Sequence, residues 1–279
     1  MTAVQKKRPA QRSGGGLWSA VKWTIAIGAA GALSGVFLLI FVFAYIYQQL
    51  PSIDVLTDYR PKVPLRVWSA EGRLIGEFGE ERRDFVRIAD VPKHVKDAIL
   101  CAEDDGFYEH HGIELMGIAR AAIVNVLTGR RGQGGSTITM QVARNFFLTT
   151  ERSYTRKLYE IAMSFKIENE LTKDQILEIY MNQIYLGQRA YGFEAAAKTY
   201  FGRPLAEISV GEAATIAGLP VAPSAYNPIV NPTRATMRRN YVLRRMYDLG
   251  RIDELTYQTE KSLPMEVRRA VELNAVKTS

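Results

Sequence analysis

Apolar and polar positions divide the chain into three textures. From residue 24 to 47 there is no charged side chain, and Ile, Leu, Val, Phe, Ala and Gly dominate. That run is long enough for a helix to cross the hydrocarbon of a bilayer, and too long for the apolar stretch of a signal peptide. It predicts one transmembrane signal-anchor helix over residues 23–47, with Trp18, Trp23, Tyr45 and Tyr47 at its interfaces. Residues 1–22 form a basic tail (Lys6, Lys7, Arg8, Arg12, Lys22). Positive charge before the span keeps the amino terminus in the cytoplasm and sends the rest across. Residues 48–90 change character. Short runs at 65–68, 74–78 and 85–88, with a turn at Glu71-Gly72, predict three strands in a connector that must lean on a neighbour to be stable.

Beyond residue 90 the apolar period becomes helical. Val91, Val95, Ala98, Ile99 and Ala102 share one face, with Pro92 in the first turn and Gly106 as the stop. Residues 113–127 are strongly apolar, with Glu114, Arg120 and Asn125 as the exceptions, and run into Thr128-Gly129-Arg130-Arg131-Gly132. This segment reads equally as a buried helix or as one that dips into the lipid interface. On the second reading, charges at Ile123 and Leu127 weaken membrane association of a chain lacking residues 1–50. Ser136 or Thr137 caps a helix carrying Ile138, Val142 and Phe146. A helix over 155–171 is expected to bury Leu158, Ile161, Ala162 and Phe165. Thr172 with Gln175 opens a helix through Tyr185, stopped by Gly187, and Ser209 with Glu212 opens another. Asn231-Pro232 starts a helix bearing Arg238, Arg239, Arg244 and Arg245 and ended by Gly250. Residues 91–260 therefore form the main, mainly α domain, and 261–279 are a charged tail or linker with little pattern.

Composition adds limits. With 279 residues and 47% apolar content the chain can build one good-sized core. A net charge of +7 suits nucleic acid, anionic lipid or a phosphorylated substrate without choosing among them. The one cysteine, Cys101, excludes an internal disulfide framework and sits in an apolar helix, as a structural thiol does. His94 stands alone and His110-His111 are adjacent, so the histidines have no metal-ligand spacing.

The candidate chemistry lies in two places. Glu103 follows Ile99 by four, so its carboxylate emerges beside an apolar stripe at a helix end. Burial there raises a carboxyl pKa toward the range useful for proton transfer, while nearby cations lower it, so the net direction is open. A solvated acidic helix end would carry the same letters. Downstream, Gly134-Gly135-Ser136-Thr137 feeds a helix amino terminus whose N–H groups suit an anion, although a glycine-rich turn with a good N-cap explains it as simply. Arg144, Arg152, Arg156 and Lys157 follow, and Arg156 and Glu160 are four apart. That pair is either an exposed i,i+4 ion pair or part of a basic cleft gripping a diphosphate, with Glu160 orienting the cations or a metal. Spacing does not choose.

Five ordered patterns do. They are Glu103-Asp104-x-x-Phe107-x-x-His110-x-Gly112, Gly134-Gly135-Ser136-Thr137-Ile138-Thr139-x-Gln141, Arg156-Lys157-x-x-Glu160, Lys173-x-x-Ile176-Leu177-Glu178-x-Tyr180-x-Asn182-x-x-Tyr185-x-Gly187 and Arg238-Arg239-x-x-Val242-Leu243-x-Arg245-Met246. Together they resemble the five signature motifs of glycosyltransferase family 51, the peptidoglycan glycosyltransferases, across about residues 91–250. The anchor and the strand-rich segment resemble the 1A-type class A penicillin-binding proteins. Met140 departs from the pattern, standing where the family usually has a second Gln.

The resemblance implies a lysozyme-like, mainly helical fold that polymerises lipid II with inversion and release of undecaprenyl diphosphate. It implies Glu103 as catalytic base and Glu160 as a second catalytic carboxylate, often through a divalent cation, Mg or Mn. It implies Ser136, Gln141, Arg144, Arg152, Arg156 and Lys157 as sugar-diphosphate ligands. Phe107, His110, Glu178, Tyr180 and Asn182 would hold the motifs in place. The implied partners are lipid II, the growing glycan strand, membrane lipid and cell-wall synthesis proteins, with no nucleic acid. A homodimer could use Gly31 and Gly35 as a close-approach pair. The implied location is the bacterial inner membrane, single-pass, with the catalytic domain on the periplasmic side. A membrane-anchored muramidase would have no use for the basic set, and an inactive cell-wall scaffold would not need both carboxylates. The chain ends before a transpeptidase domain could begin. Ser19-Ala20-Val21-Lys22 matches Ser-x-x-Lys in letters only, so no acylation by penicillin is expected.

Overall fold

The computed structural model describes residues 15–57, 65–71, 74–78, 81–114, 117, 135–147 and 154–267. The basic tail to residue 14, most of the apolar 113–131 segment, Arg152 and the residues after 267 lie outside them. The chain divides into two units, Met1–Gln49 and Leu50–Ser279. The first contains a single long helix, α1 (Gly15–Gln48), of which Val21–Gln48 is apolar and long enough to cross a membrane. Its side chains from Trp23 to Phe41 are largely exposed, as the lipid-facing surface of such a span requires.

The second unit begins with a single turn, α2 (Asp54–Thr57), and a hairpin in which β1 (Leu65–Trp68) pairs antiparallel with β2 (Leu74–Phe78), Leu65 opposite Phe78. The third expected strand is displaced. The next strand is β3 (Arg82–Arg83), and it pairs in parallel with β4 (Ala190–Tyr191), which periodicity did not reveal. Residues 85–88 make no ladder. The Asn182 side chain replaces a strand partner instead: Val86 N donates to Asn182 Oδ1 at 2.9 Å, and Asn182 Nδ2 donates to Val86 O at 2.9 Å. Ile88 N donates to the Glu178 carboxylate at 2.7 Å. These two residues act as the holding groups their motif implied.

Helices carry the remainder. α3 (Lys93–Glu103) packs its buried Val95, Ala98 and Ile99 against α8 (Val210–Ala217) and α9 (Pro232–Asp248). A separate group forms where α4 (Ile138–Phe147) packs on α5 (Tyr154–Glu170) and α6 (Lys173–Gln183). α7 (Phe193–Phe201) bridges toward both groups, and α10 (Glu254–Ser262) seals the far side of α9. The capping boxes at Thr172/Gln175 and Ser209/Glu212 both form. Asn231-Pro232 opens α9 with Pro at the first position, as its fixed φ favours. α10 is a helix the sequence did not announce. Asp253 caps it, and its polar outer face leaves little apolar period.

Two helix faces differ from expectation. α3 ends at Glu103, with Asp104 leaving helical geometry (φ −163°), before Gly106 is reached. On α5 the buried residues are Glu160, Ala162, Met163, Ser164 and Ile167, while Leu158 is 43% exposed. Ile161 and Phe165 are only half-buried. The helix is thus turned so that a carboxylate, not the leucine, points inward.

Candidate active site

The site begins at the seam between the two helix groups. Leaving α3, Asp104 turns its buried carboxylate to the amino terminus of α4, where Ile138 N donates to Oδ2 at 2.9 Å. His110 Nε2 donates to the same carboxylate at 3.0 and 3.1 Å. Thr137 completes the junction: its hydroxyl donates to Gly112 O at 2.6 Å and accepts from Met140 N at 3.2 Å. Of the two expected caps, Thr137 is the one used. The helix terminus anticipated as an external anion site therefore already holds an anion of the chain itself.

This junction fixes Glu103 in the lining of a cleft of about 310 Å³. Gln141, one turn into α4, donates from Nε2 to Glu103 Oε2 at 2.8 Å. Glu103 Oε1 is shielded from solvent and has no hydrogen-bond partner. Burial pushes the Glu103 carboxyl up from an ordinary 4.5 to about 6, and the Asp104 carboxylate adds to the rise. The Gln141 hydrogen bond and the charges of Arg238 and Arg144 oppose it. The direction left open by sequence is upward, because desolvation outweighs two guanidiniums that keep their own access to water.

Ser136, Thr137, Gln141 and Arg144 line the same cleft, so four of the expected residues, Glu103 among them, surround one space. Lys157 reaches it from α5, donating to Ser136 Oγ at 2.9 Å and to Glu160 Oε2 at 3.1 Å. Arg156 Nε lies 3.2 Å from Glu160 Oε1. Glu160 is only 1% exposed, so this is a buried carboxylate ordering two cations, and not a solvated i,i+4 pair. Its donor environment fits ammonium and guanidinium groups. Among the described residues no three His, Cys, Asp or Glu side chains gather around a common point.

A further part of the lining was not nominated from sequence. Arg238, Tyr241 and Arg245 of α9, with Pro220 and Val221 before it, line the same cleft as Glu103. Arg245 donates to Cys101 O at 3.2 Å and pairs with Asp105 at 3.2 Å, tying α9 to the end of α3. The signal was available: residues 238, 241 and 245 recur at helical spacing on one face. Arg238 and Arg245 stand in the fifth motif without an assigned role, and Tyr241 occupies one of its open positions.

Comparison with known proteins places this geometry in a class. The transglycosylase family model matches residues 71–247, and the chain belongs to that family. It is 53% identical over 221 residues to penicillin-binding protein 1A of Neisseria flavescens, covering 79% of this chain and 28% of that protein. It is 49% identical over 261 residues to penicillin-binding protein 1A of Pseudomonas aeruginosa, covering 92% of this chain and 31% of that one. The chain thus spans about three tenths of the length of these relatives. A crystal structure of penicillin-binding protein 1A from Haemophilus influenzae is 32% identical and aligns over 76% of this chain and 22% of its own, with a TM-score of 0.45. The family assignment rests on sequence and not on that superposition.

Proposed function

We propose that the chain polymerises lipid II into glycan strands, with Glu103 as the general base. The observation that carries this reading is the divided state of one carboxylate lining the cleft: Oε2 is held by Gln141, and Oε1 is shielded from solvent and unpartnered. A carboxyl with pKa about 6 is mostly ionised at neutral pH yet basic enough to take a proton usefully. The C4 hydroxyl of the incoming sugar gives its proton to Glu103 as its oxygen bonds to the anomeric carbon of the growing strand. On the opposite face the bond from that carbon to the diphosphate oxygen breaks, which inverts the centre. The electron pair leaves on undecaprenyl diphosphate.

Charge accumulating on the leaving diphosphate calls for fixed cations. Arg144 in the cleft and the Arg156–Lys157 pair ordered by Glu160 fill that role, with Ser136 beside Lys157 as a hydroxyl contact. Arg152 follows by motif alone. A divalent cation, implied by the family resemblance, would add to the same neutralisation, with Glu160 as its protein carboxylate. The muramidase reading loses ground here, since an uncharged glycosidic bond gives such a cluster nothing to neutralise. In this reading α1 is the anchor in the bacterial inner membrane. The basic tail holds its amino terminus inside, and the catalytic unit faces the lipid-borne substrate outside. Cell-wall synthesis partners and a homodimer belong to the same proposal.

The test is Glu103→Gln, which keeps the shape and can keep the Gln141 contact but cannot accept the proton. Polymerisation of lipid II should fall by about two to four orders of magnitude while lipid II still binds. Near wild-type polymerisation by the amide would remove Glu103 from the base role.

A further inference from the structure

Lys166 of α5 makes contacts that the five motifs do not account for. Its Nζ donates to Pro51 O at 2.9 Å and to Leu50 O at 3.5 Å. These carbonyls follow α1, which ends at Gln48. Pro51 turns Leu50 away from helical geometry, so the two carbonyls take their donor from elsewhere in the fold. The chain that follows is held on one face. Leu50 is 8% exposed, Ile53 1% and Leu56 3%, whereas Val55 is 59% exposed. Leu56 N donates to Ile53 O at 2.7 Å and closes the turn of α2. The same stretch of α5 also abuts the catalytic junction. Gly112 has φ +80°, and a Cβ there would stand 3.1 Å from the Ser164 carbonyl carbon and 3.2 Å from Phe165 N. Only glycine permits that approach. Gly112 O in turn accepts from the Thr137 hydroxyl at the start of α4, the helix that carries Gln141 to Glu103. Within residues 164–166, α5 thus meets both the catalytic junction and the chain entering the unit.

We propose that Lys166 is a positioning residue for work on membrane-borne substrate, fastening residues 50–56 to α5 so that the chain entering the catalytic unit is taut and not a slack linker. The inference rests on the polymerase reading, with α1 as anchor, and deepens it. Burial of Leu50, Ile53 and Leu56 holds the segment down, and the ammonium adds charge-assisted hydrogen bonds at its first two residues. The magnitude of the alternative explains why this matters. Released from the unit, residues 50–56 would extend up to about 23–25 Å, a distance close to the hydrocarbon thickness of a bilayer at about 30 Å. A cleft with that much slack meets a diphosphate held at a lipid surface in productive geometry less often. Substrate dispersed in detergent approaches from any direction, so slack costs little there.

The experiment uses the full chain, once in detergent with dispersed lipid II and once reconstituted into vesicles that contain lipid II. Lys166→Met keeps the length of the stem and removes the donors. Its polymerisation in detergent should stay close to wild type, its rate on vesicles should fall several-fold, and deuterium uptake at residues 50–57 should quicken. Lys166→Arg, which can donate to both carbonyls, should restore the vesicle rate and the slow uptake. An equal fall in detergent and on vesicles would make Lys166 an ordinary structural residue and overturn the proposal. An unchanged vesicle rate would overturn it too. A lower vesicle rate with unchanged uptake at 50–57 would make Lys166 a lipid contact instead of a fastening. If the wild-type chain consumes no lipid II in detergent, the polymerase reading fails, whereas deuterium uptake in Lys166→Met still decides whether this side chain holds the entering chain.

Discussion

Glu103 shows how a single residue depends on groups far away in sequence. Its candidacy was legible, because a carboxylate four residues beyond Ile99 at a helix end is a local pattern. Its proton affinity was not, since Gln141, Arg144 and Arg238 come to it from α4 and α9. The raised pKa makes two predictions. Polymerisation should fall as pH drops through about 6, as the carboxyl takes up a proton and can no longer act as base. A pH–rate profile of kcat/KM checks this. Because the folded-state pKa lies above the ordinary value, the native state binds the proton more tightly than the unfolded chain does. That contribution to stability is complete below pH 4.5 and is lost as pH rises through about 6. At neutral pH the ionised Glu103 therefore costs stability, up to about 2 kcal/mol for a pKa moved from 4.5 to about 6. Glu103→Gln should melt higher than wild type at pH 7 and lose that advantage near pH 4. Equal melting temperatures at both pH values would show that the carboxylate is not desolvated.

Glu160 revises an expectation at the same scale. From spacing alone Arg156 could be one half of an exposed i,i+4 ion pair, whose loss would cost little stability. With its partner carboxylate 1% exposed, Arg156→Ala leaves a buried negative charge with Lys157 as its remaining cation among the described residues. Removing one member of a buried pair costs about 3–5 kcal/mol, and the part-exposed Arg156 and Lys157 put this one at the low end. Arg156→Ala should therefore lower both polymerisation and the thermal midpoint, while the double variant Arg156→Ala with Glu160→Gln recovers stability but not activity. Thermal melts of the single and double variants decide it.

Elements were legible where their signals are local and were missed where a distant side chain makes them. Both capping boxes formed as read, because cap and partner lie three residues apart. The segment at 85–88 has strand-like letters, but its partners are the side chains of Asn182 and Glu178, about ninety residues away. The buried face of α5 could not be read from apolar spacing, since a paired glutamate took the inward position. Thr137 offers a test at this scale. Its hydroxyl joins the start of α4 to Gly112, so Thr137→Ala should cost about 1–2 kcal/mol, typical of a lost N-cap. Thr137→Ser keeps both hydrogen bonds and should restore the melting temperature, and with it the Gln141–Glu103 alignment and activity. If serine fails as alanine does, the methyl group's packing, not the hydroxyl, is what the junction needs.

For the whole molecule, the cleft is a product of the seam between two helix groups, and no single element contains it. α3 packs with α8 and α9, α4 packs with α5 and α6, and Asp104, Thr137 and Gln141 tie the two together by polar contacts. The first three motifs named residues that converge on the cleft, while the part that Arg238, Tyr241 and Arg245 of α9 play in its lining emerged only once the helices were packed. The division at residue 49 carries the last prediction. The apolar core around Val95, Ile99, Ile138, Ile176 and Leu243 lies wholly within Leu50–Ser279, so this unit contains what it needs to fold. A chain of residues 50–279 should show a cooperative melt with a midpoint close to that of the full chain in detergent. The full chain should stay with membranes through alkaline extraction, as a helix of this length and hydropathy does. Both should polymerise detergent-dispersed lipid II, but on lipid II embedded in vesicles the shorter chain should be slower, because its encounter with substrate is no longer confined to a surface. Loss of the cooperative melt on removing residues 1–49 would show that α1 is part of the folding unit. Equal rates on vesicles would show that contacts of the catalytic unit with lipid, rather than the anchor, bring it to its substrate.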